Sequence, residues 1–277
     1  MLLSFAPVLV KLADIGPSAA AFYRMLFGGI GLTALALLTG RRLWSGRRSF
    51  FVAAACAAAF ALDLVLWHHS ISLIGPGVST ILANFQVLIL GGFGVLVLRE
   101  RPTPRLLVAV PVALVGLVLL VGLDGSPLEP ARRSGIAFGL LTAVAYAGYL
   151  LLLRQARAKA QGVTALATIA VISLWSIVLL GIATPLQGES LAVPDATTWL
   201  ILAAYGFVPQ MLGWVLVARG IAAMPASRVG LVLLLQPTLA FVWDVLLLGR
   251  PTTALEAAGA GLALCAIYLG AGAASEE

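Results

Sequence analysis

Ten long apolar runs fill most of this 277-residue sequence, and they constrain its fold more than any other feature. They lie at about 2–15, 18–39, 49–71, 76–98, 105–123, 134–153, 163–184, 197–218, 226–248 and 254–273. A run of about 20 mostly apolar residues is long enough to cross a bilayer as a helix. The runs are continuous in Leu, Ala, Val and Gly rather than alternating, which argues against barrel strands. The sequence therefore predicts an all-α integral membrane protein with ten transmembrane helices.

The balance of apolar and charged residues supports the same class. The chain is 61% hydrophobic and 10% charged, with a mean hydropathy of +1.08, whereas soluble domains carry about 25% charged residues. The lipid bilayer is therefore the predicted surrounding medium. The net charge of +6 does not indicate a nucleic-acid partner, because the basic residues form short clusters between apolar runs.

These basic clusters predict the orientation of the chain. With the N-terminus inside, the inner loops hold twelve Lys and Arg residues and the outer loops hold three. The inner residues are Arg41, Arg42, Arg47, Arg48, Arg99, Arg101, Arg105, Arg154, Arg157, Lys159, Arg219 and Arg228, and the outer ones are Arg132, Arg133 and Arg250. Such an excess marks the cytoplasmic side of a membrane. Both chain termini are therefore predicted to be cytoplasmic.

The two halves of the sequence show weak internal similarity. Arg-Pro-Thr at residues 101–103 follows one apolar helix and precedes a Gly-rich one, and the same pattern recurs at residues 250–252, about 150 residues later. We therefore predict two five-helix repeats, at residues 1–123 and 134–273. Because five is an odd number, the second repeat must be inverted in the membrane, which is a common design of secondary transporters.

The third run contains ionisable residues that are costly to bury in a membrane. Asp63 and Trp67 share a helix face because they are four residues apart, and His68 and His69 follow. Asp63 is a candidate for proton coupling or for binding a substrate amine, and the alternative is a structural ion pair or a protonated acid. His68 is a candidate titrating group, and the alternative for the His pair is an anchor at the membrane interface.

Polar side chains also occur in the other runs. They are Asn84 and Gln86 in the fourth run, Gln210 and Trp214 in the eighth, and Gln236 in the ninth. Amides can hydrogen-bond a polar solute without burying a charge, and they can equally cross-link helices. We interpret these five residues, together with Asp63, Trp67 and His68, as candidate lining of a substrate cavity.

Two cations lie within the first two runs, Lys11 and Arg24, both toward the predicted outer side. A cation at the centre of a membrane helix costs about 2.5–3.5 kcal/mol on insertion scales, and snorkelling lowers that cost near the interface. Two interpretations stay open. Either both side chains snorkel, or they form a cationic feature that attracts an anionic solute or pairs with Asp14 or Asp244.

The sequence lacks motifs of several other functions. It has no Walker A lysine motif, no His-Glu-x-x-His, no Gly-x-Ser-x-Gly and no filter-like motif, which argues against an ATP-driven pump, an enzyme and a channel. Cys56 and Cys265 each lie inside an apolar run, where packing is a better interpretation than a metal site or a disulfide. We expect no cofactor, no metal and no enzyme activity.

Three stretches of the sequence are similar to a known group of transporters. They are Lys11 with Pro17 and Arg24; Leu-Arg-Glu-Arg-Pro at residues 98–102; and Gln-Pro at residues 236–237 with Leu-Gly-Arg-Pro at residues 248–251. Together with ten spans in two halves, they make the chain resemble the EamA-type transporters of the drug/metabolite transporter superfamily. The resemblance covers nearly the whole chain.

The chain also departs from the family pattern. Arg250 stands where the second repeat usually has Glu, and Glu256, one turn into the last helix, is available to pair with it. On this resemblance we interpret Glu100 and Arg250, together with Lys11 and Arg24, as gating or charge residues.

The resemblance implies a secondary transporter in the bacterial inner membrane, and we predict an exporter. It implies small metabolites as solutes, such as amino acids or related compounds, and a central cavity opened alternately to each side. Proton coupling and a homodimer are open alternatives. The rival from a different class is a non-transporting polytopic membrane protein, such as a receptor-like or assembly subunit, and solute flux across a sealed bilayer discriminates between the two.

Overall fold

The fold was described from a computed structural model that covers residues 2–43, 46–97, 99, 104–121, 129–159, 163–213, 216 and 226–273. In these residues the regular structure is entirely helical. The α-helices are α1 (Ala6–Leu12), α2 (Pro17–Leu38), α3 (Arg47–Ile74), α4 (Pro76–Asn84), α5 (Gln86–Leu96), α6 (Pro104–Val121), α7 (Pro130–Lys159), α8 (Ala165–Leu186), α9 (Ala196–Tyr205), α10 (Ala226–Leu247) and α11 (Ala254–Ala273). A 3₁₀ turn, Leu2–Phe5, precedes α1, and a π-helical segment, Gly206–Gly213, continues α9.

The outer surface of the bundle is apolar, as lipid requires. Leu38, Leu96 and Leu186 are more than 80% exposed, which would be unfavourable in water for side chains of this size. By length and composition, the helical stretches able to cross a membrane are Pro17–Leu38, Phe50–Ile74, Pro76–Leu96, Pro130–Leu153 and Ala165–Leu186. The all-α membrane class predicted from the sequence is confirmed, and the length criterion supports five of the ten predicted spans.

Two of the predicted runs are interrupted by changes in helix geometry. The fourth run divides at Phe85, between α4 and α5. The eighth run changes from α-helix to π-helix at Gly206, and Pro209 lies inside the π-helical segment. Proline removes a backbone donor, and π-helical turns are frequent at functional sites. Both interruptions lie beside the candidate site described below.

Helices from the two halves of the chain pack against one another in pairs. The most extensive contacts join α6 with α11, α3 with α7, α2 with α8, α3 with α8, and α4 with α10. In the α6–α11 pair the contact is tight because both partners are glycines. A Cβ added to Gly116 would lie 2.6 Å from the backbone nitrogen of Ala263 and 3.0 Å from the carbonyl oxygen of Gly259.

We call the end of the bundle at which α3 ends and α4 begins the outer end, because the distribution of basic residues predicts that it faces away from the cytoplasm. Two helices begin here with Gly-Pro, and each receives a carboxylate from the second half. Glu189 Oε2 accepts hydrogen bonds from the backbone N–H of Ser18 (2.8 Å) and of Ala19 (3.2 Å) at the start of α2. Asp244 Oδ2 accepts one from Gly77 at the start of α4 (2.9 Å). A carboxylate at a helix N-terminus is stabilised by the helix dipole.

Candidate functional site

A small cavity lies in the middle of the bundle, between the two halves. Its volume is about 70 Å³. It is lined by Leu3, Arg24, Phe60, Asp63, Leu64, Trp67, Thr80, Ala83, Asn84, Thr142, Tyr146 and Gln236. We call it the central cavity. It holds one cation, one carboxylate and two amide side chains, so its lining is more polar than the surrounding hydrophobic core.

Arg24 is the cation of the central cavity, and it is held by partners from distant parts of the chain. Its side chain is 7% exposed. Nε donates to Oε1 of Gln210 (2.9 Å) and Nη1 donates to the hydroxyl oxygen of Tyr205 (3.1 Å). The guanidinium also lies over the rings of Tyr205, Trp67 and Phe60, with its carbon 5.3–5.9 Å from the ring centroids, where cation–π attraction operates. Nη2 has no hydrogen-bond partner among the described residues.

The π-helical segment brings Gln210 to Arg24 across a surface of α2 that lacks side chains. A Cβ added to Gly28 would collide with the side chain of Gln210 and would lie 3.1 Å from the carbonyl oxygen of Gly206. Glycine at position 28 therefore permits the close approach. Gln210 itself is fully buried, and its Nε2 has no hydrogen-bond partner in the part of the chain that the structure describes.

Tyr205 links Arg24 to His68. The Tyr205 hydroxyl lies 3.0 Å from Nε2 of His68, and Nδ1 of His68 lies 2.6 Å from the carbonyl oxygen of Leu64. The Leu64 oxygen can only accept, so Nδ1 carries the proton and Nε2 accepts from Tyr205. This assignment makes His68 neutral. A second proton would put two donors on the Tyr205 oxygen and leave the hydroxyl hydrogen without its acceptor.

Asp63 is the carboxylate of the central cavity. Its side chain is 7% exposed and lines the same cavity as Arg24. Among the described residues it has no hydrogen-bond donor and no cation within 4 Å. A buried carboxylate without partners is costly. The arrangement therefore places one carboxyl group and one guanidinium on the same space without an ion pair between them.

The amide side chains divide into two groups. Asn84 and Gln236 line the central cavity, and Nδ2 of Asn84 donates to the carbonyl oxygen of Thr80 (2.8 Å). Gln86 does not line it. It begins α5, on the other side of the break at Phe85, and its side chain is buried away from this cavity.

A larger pocket, which we call the outer pocket, opens near the outer end of the bundle. Its volume is about 430 Å³, and three cations and three carboxylates line it. They are Lys11, Arg132, Arg250, Glu129, Asp244 and Glu256. Glu256 Oε1 lies 3.0 Å from Nη2 of Arg132 and 3.6 Å from Nη2 of Arg250. The pairing of Arg250 with Glu256 expected from the sequence is therefore present.

Glu256 is held in place by the start of α11. Its Oε2 accepts from the backbone N–H of Thr253 (3.0 Å), while Oγ1 of Thr253 accepts from the backbone N–H of Glu256 (3.2 Å). This reciprocal pair is a capping box. Because Glu256 is fixed by the box, the two arginines that contact it are fixed as well.

Comparison with known proteins identifies the kind of molecule to which these cavities belong. A model of the EamA-like transporter family matches residues 1–122 and 133–271. The chain belongs to the EamA-like transporter family. It is therefore a membrane transporter of the drug/metabolite transporter superfamily, as its resemblance in sequence implied.

Individual relatives agree with this membership. The uncharacterized transporter YcbK of Bacillus subtilis (strain 168) is 25% identical over 255 residues, which cover 88% of this chain and 80% of YcbK. A solved crystal structure is similar, with a TM-score of 0.70 and 19% sequence identity. The match covers 99% of this chain and 93% of the chain in that structure. The likeness to this structure shows that the two chains share a fold.

In this EamA-like transporter, most of the residues that the sequence predicted for the site lie together. Asp63, Trp67, Asn84 and Gln236 line the central cavity, and His68 and Gln210 contact it through Tyr205 and Arg24. Arg24 was expected to frame the outer part beside Lys11, but it lies in the wall of the central cavity instead, while Lys11 lines the outer pocket. The difference arises because Arg24 lies two turns inside α2. Trp214 and Glu100 lie outside the described residues.

Several residues of the site were not predicted as site residues. Tyr205, Thr80, Thr142 and Phe60 contact Arg24 or line the central cavity, and nothing in their immediate sequence marks them, because each lies in an ordinary apolar run. Tyr146 also lines the central cavity. For Tyr205 the available signal is the nearby Gly206 and Pro209, which disturb the helix at that point.

Proposed function

We propose that this chain is a secondary transporter, working as an exporter, of small zwitterionic metabolites such as amino acids or related compounds. The observation that carries the proposal is the presence of Asp63 and Arg24, uncompensated by each other, in one cavity between the two halves. A zwitterion supplies the two missing charges. Its ammonium group meets the Asp63 carboxylate, and its carboxylate meets Nη2 of Arg24.

The size of the central cavity supports alternating access. Its volume of about 70 Å³ is well below the range of about 300–1,000 Å³ that is usual for small-molecule sites. The bundle must therefore open around Asp63 and Arg24 before a solute enters. Two halves that pack through the pairs α2 with α8, α4 with α10 and α6 with α11 supply two bodies that can rock against each other.

This pairing also supports the inverted repeat at residues 1–123 and 134–273. In a repeat of five spans, span n corresponds to span n + 5. The pairs α2–α8, α4–α10 and α6–α11 each join a span to its own counterpart. Such pairs lie on or near a pseudo-two-fold axis, and an axis in the membrane plane relates halves of opposite orientation.

Flux through sealed vesicles tests the proposal. Purified protein in liposomes should move at least one radiolabelled amino acid in a protein-dependent manner. Asp63→Asn and Arg24→Gln should each lower the flux by about tenfold or more, because each leaves one charged end of the solute without its hydrogen-bonded partner. If Asp63 is also the coupling group, Asp63→Asn should abolish the response to an imposed pH gradient.

Matched controls come from the exposed surface. Asp14→Asn and Arg133→Gln remove the same charges from side chains that are exposed and lie outside the central cavity, so both should transport like the wild type. Absence of flux for every solute in a broad screen would favour the non-transporting alternative. Wild-type flux in Asp63→Asn would remove Asp63 from the site.

A further inference from the structure

The central cavity and the outer pocket are built from the same five parts of the chain. The N-terminal helical segment, α3, α4, α7 and α10 contribute to both. Each segment gives one residue to the central cavity and another to the outer pocket. With the residue of the central cavity first, these pairs are Leu3 and Lys11, Trp67 and Ile74, Thr80 and Val78, Thr142 and Ile136, and Gln236 and Asp244. On all five segments the residue of the outer pocket lies nearer the outer end. The two spaces are therefore stacked along one axis.

The distance between the two spaces follows from the helix rise. Trp67 and Ile74 are seven residues apart on α3, and Gln236 and Asp244 are eight residues apart on α10. At 1.5 Å per residue these separations are about 10 Å and about 12 Å. On α4 the corresponding residues, Thr80 and Val78, are two residues apart, which is about 3 Å. A solute that leaves the central cavity toward the outer end therefore meets the outer pocket within about 12 Å.

A thin barrier formed by the start of α4 separates the two spaces. Oγ of Ser70 on α3 donates to the carbonyl oxygen of Gly135 on α7 (2.8 Å) and lies 2.9 Å from Oγ of Ser79 on α4. On the other side, a Cβ added to Gly77 would lie 2.7 Å from Cα of Phe241 on α10. The hydrogen bond from Gly77 to Asp244 holds this contact closed. Separation of α4 from α10 would join the two spaces.

The charges of the outer pocket are unevenly satisfied. The carboxylates of Asp244 and Glu256 accept backbone N–H groups and face arginines. Among the described residues, Lys11 makes no hydrogen bond or ion pair, and Nη1 of Arg250 is buried without a partner. Lys11 and Glu129 both have exposed side chains. Among the described residues that line the pocket, the unmet buried group is therefore Nη1 of Arg250, a cationic donor that suits a carboxylate, and Lys11 adds a second cation beside it.

We propose that the outer pocket is a second, transient binding site for the solute, in which Lys11 and Arg250 bind its carboxylate on the way between the central cavity and the outer face. This inference rests on the proposed transport function. The volume of about 430 Å³ falls in the range of about 300–1,000 Å³ that is usual for small-molecule sites. The site takes small carboxylates, and zwitterions gain a contact between their ammonium group and Glu129.

Side-specific transport kinetics test this second site. In vesicles of uniform orientation, the KM for a transported amino acid is measured separately from the outer and from the inner face. Lys11→Met and Arg250→Gln should raise the KM from the outer face by about tenfold, because a hydrogen bond to a charged group is lost, and should leave the KM from the inner face nearly unchanged. Arg133→Gln is the matched control, since Arg133 is exposed and does not line the pocket.

The outcomes separate this inference from the proposed function. If the wild type transports nothing, the proposed function fails. If the wild type transports and Lys11→Met changes neither KM, or changes both equally, the proposal of an outer binding site is wrong, while the proposed transport function stands. Lys11→Met is the decisive variant because the exposed Lys11 side chain makes no hydrogen bond and no ion pair within 4 Å among the described residues, so its removal should leave folding intact. Repeating the assay in purely phosphatidylcholine vesicles distinguishes the solute from an anionic lipid headgroup, since a lipid site would lose the effect there.

Discussion

At the scale of single residues, the burial of Arg24 is the most informative feature of this transporter. A guanidinium inside a membrane bundle needs acceptors and aromatic faces to offset its desolvation. Arg24 obtains them from Tyr205, Gln210, Trp67 and Phe60, none of which is near it in sequence. Its orientation therefore depends on residues that themselves need not touch the solute.

Tyr205→Phe tests this dependence. The change removes the acceptor of Arg24 Nη1 and leaves the ring in place, so the protein should fold with a stability loss of about 1–3 kcal/mol, and the KM for the solute should rise. Transport kinetics and thermal unfolding in detergent measure the two effects. Tyr23→Phe is the control, because the Tyr23 hydroxyl bonds Leu191 away from the cavity. Equal KM values in both variants would show that Tyr205 does not position Arg24.

At the scale of helices, glycine contacts determine how closely the two halves approach. Gly116 on α6 and Gly259 on α11 meet backbone to backbone. A Cβ added to Gly92 on α5, in contrast, would lie within 4 Å of no atom of the other helices that the structure describes. Small residues at such contacts stabilise helix pairs in membranes by allowing dispersion contacts between backbones. Identical residue types in similar apolar runs therefore differ in structural importance.

We expect Gly116→Ala to destabilise the protein and Gly92→Ala to leave it nearly unchanged. The added methyl at position 116 forces α6 away from Ala263 and Gly259, at a cost of about 1–3 kcal/mol, which is usual for overpacking. Thermal unfolding in detergent should show a lower Tm for the first variant only. An equal fall of Tm in both variants would contradict the expectation that position 116 is more tightly packed than position 92.

The π-helical segment shows why element geometry matters for the site. Tyr205 and Gln210 both bind Arg24 although they are five residues apart. In an α-helix, a separation of five residues places two side chains about 140° apart. Hydrogen bonds from residue i to i + 5 widen the turn and bring such residues to the same side. A search for partners at spacings of three or four cannot find this pair.

At the scale of the whole molecule, orientation in the membrane decides what the outer pocket does. The proposed topology places residues 41–48 in the cytoplasm and the loop between α8 and α9 on the opposite side. This follows from the distribution of basic residues over the loops and from the inverted repeat. The assignment of Lys11 and Arg250 to an outer site depends on it.

Cysteine labelling in intact cells tests the topology. In a Cys265→Ala background, which removes the exposed cysteine, Ser190→Cys should react with a membrane-impermeant maleimide and Arg42→Cys should react only after permeabilisation. Both positions are exposed in the structure, so failure to react reports the side and not burial. Labelling of both positions from the same side would overturn the inverted arrangement.

The sequence by itself determined the class of the protein and much of its site. Apolar runs of bilayer length leave only a helical membrane protein, because backbone polar groups in lipid need partners within their own segment. The same cost makes each polar residue in a run conspicuous, which is why Asp63, Trp67, Asn84 and Gln236 are predicted from the sequence, and all four line the central cavity. The resemblance at Lys11, Pro17 and Arg24 identified the family.

Only the tertiary structure decided which of these groups meet, and which uncharged residues join them. Tyr205 lies 181 residues from Arg24, and the bond between them depends on a π-helical turn and a glycine surface on α2. The depth of Arg24 and the position of Gln86 away from the cavity likewise follow from helix rotation and packing. Contacts between distant helices depend on the shape of both surfaces at once, and no local pattern in one run contains that information.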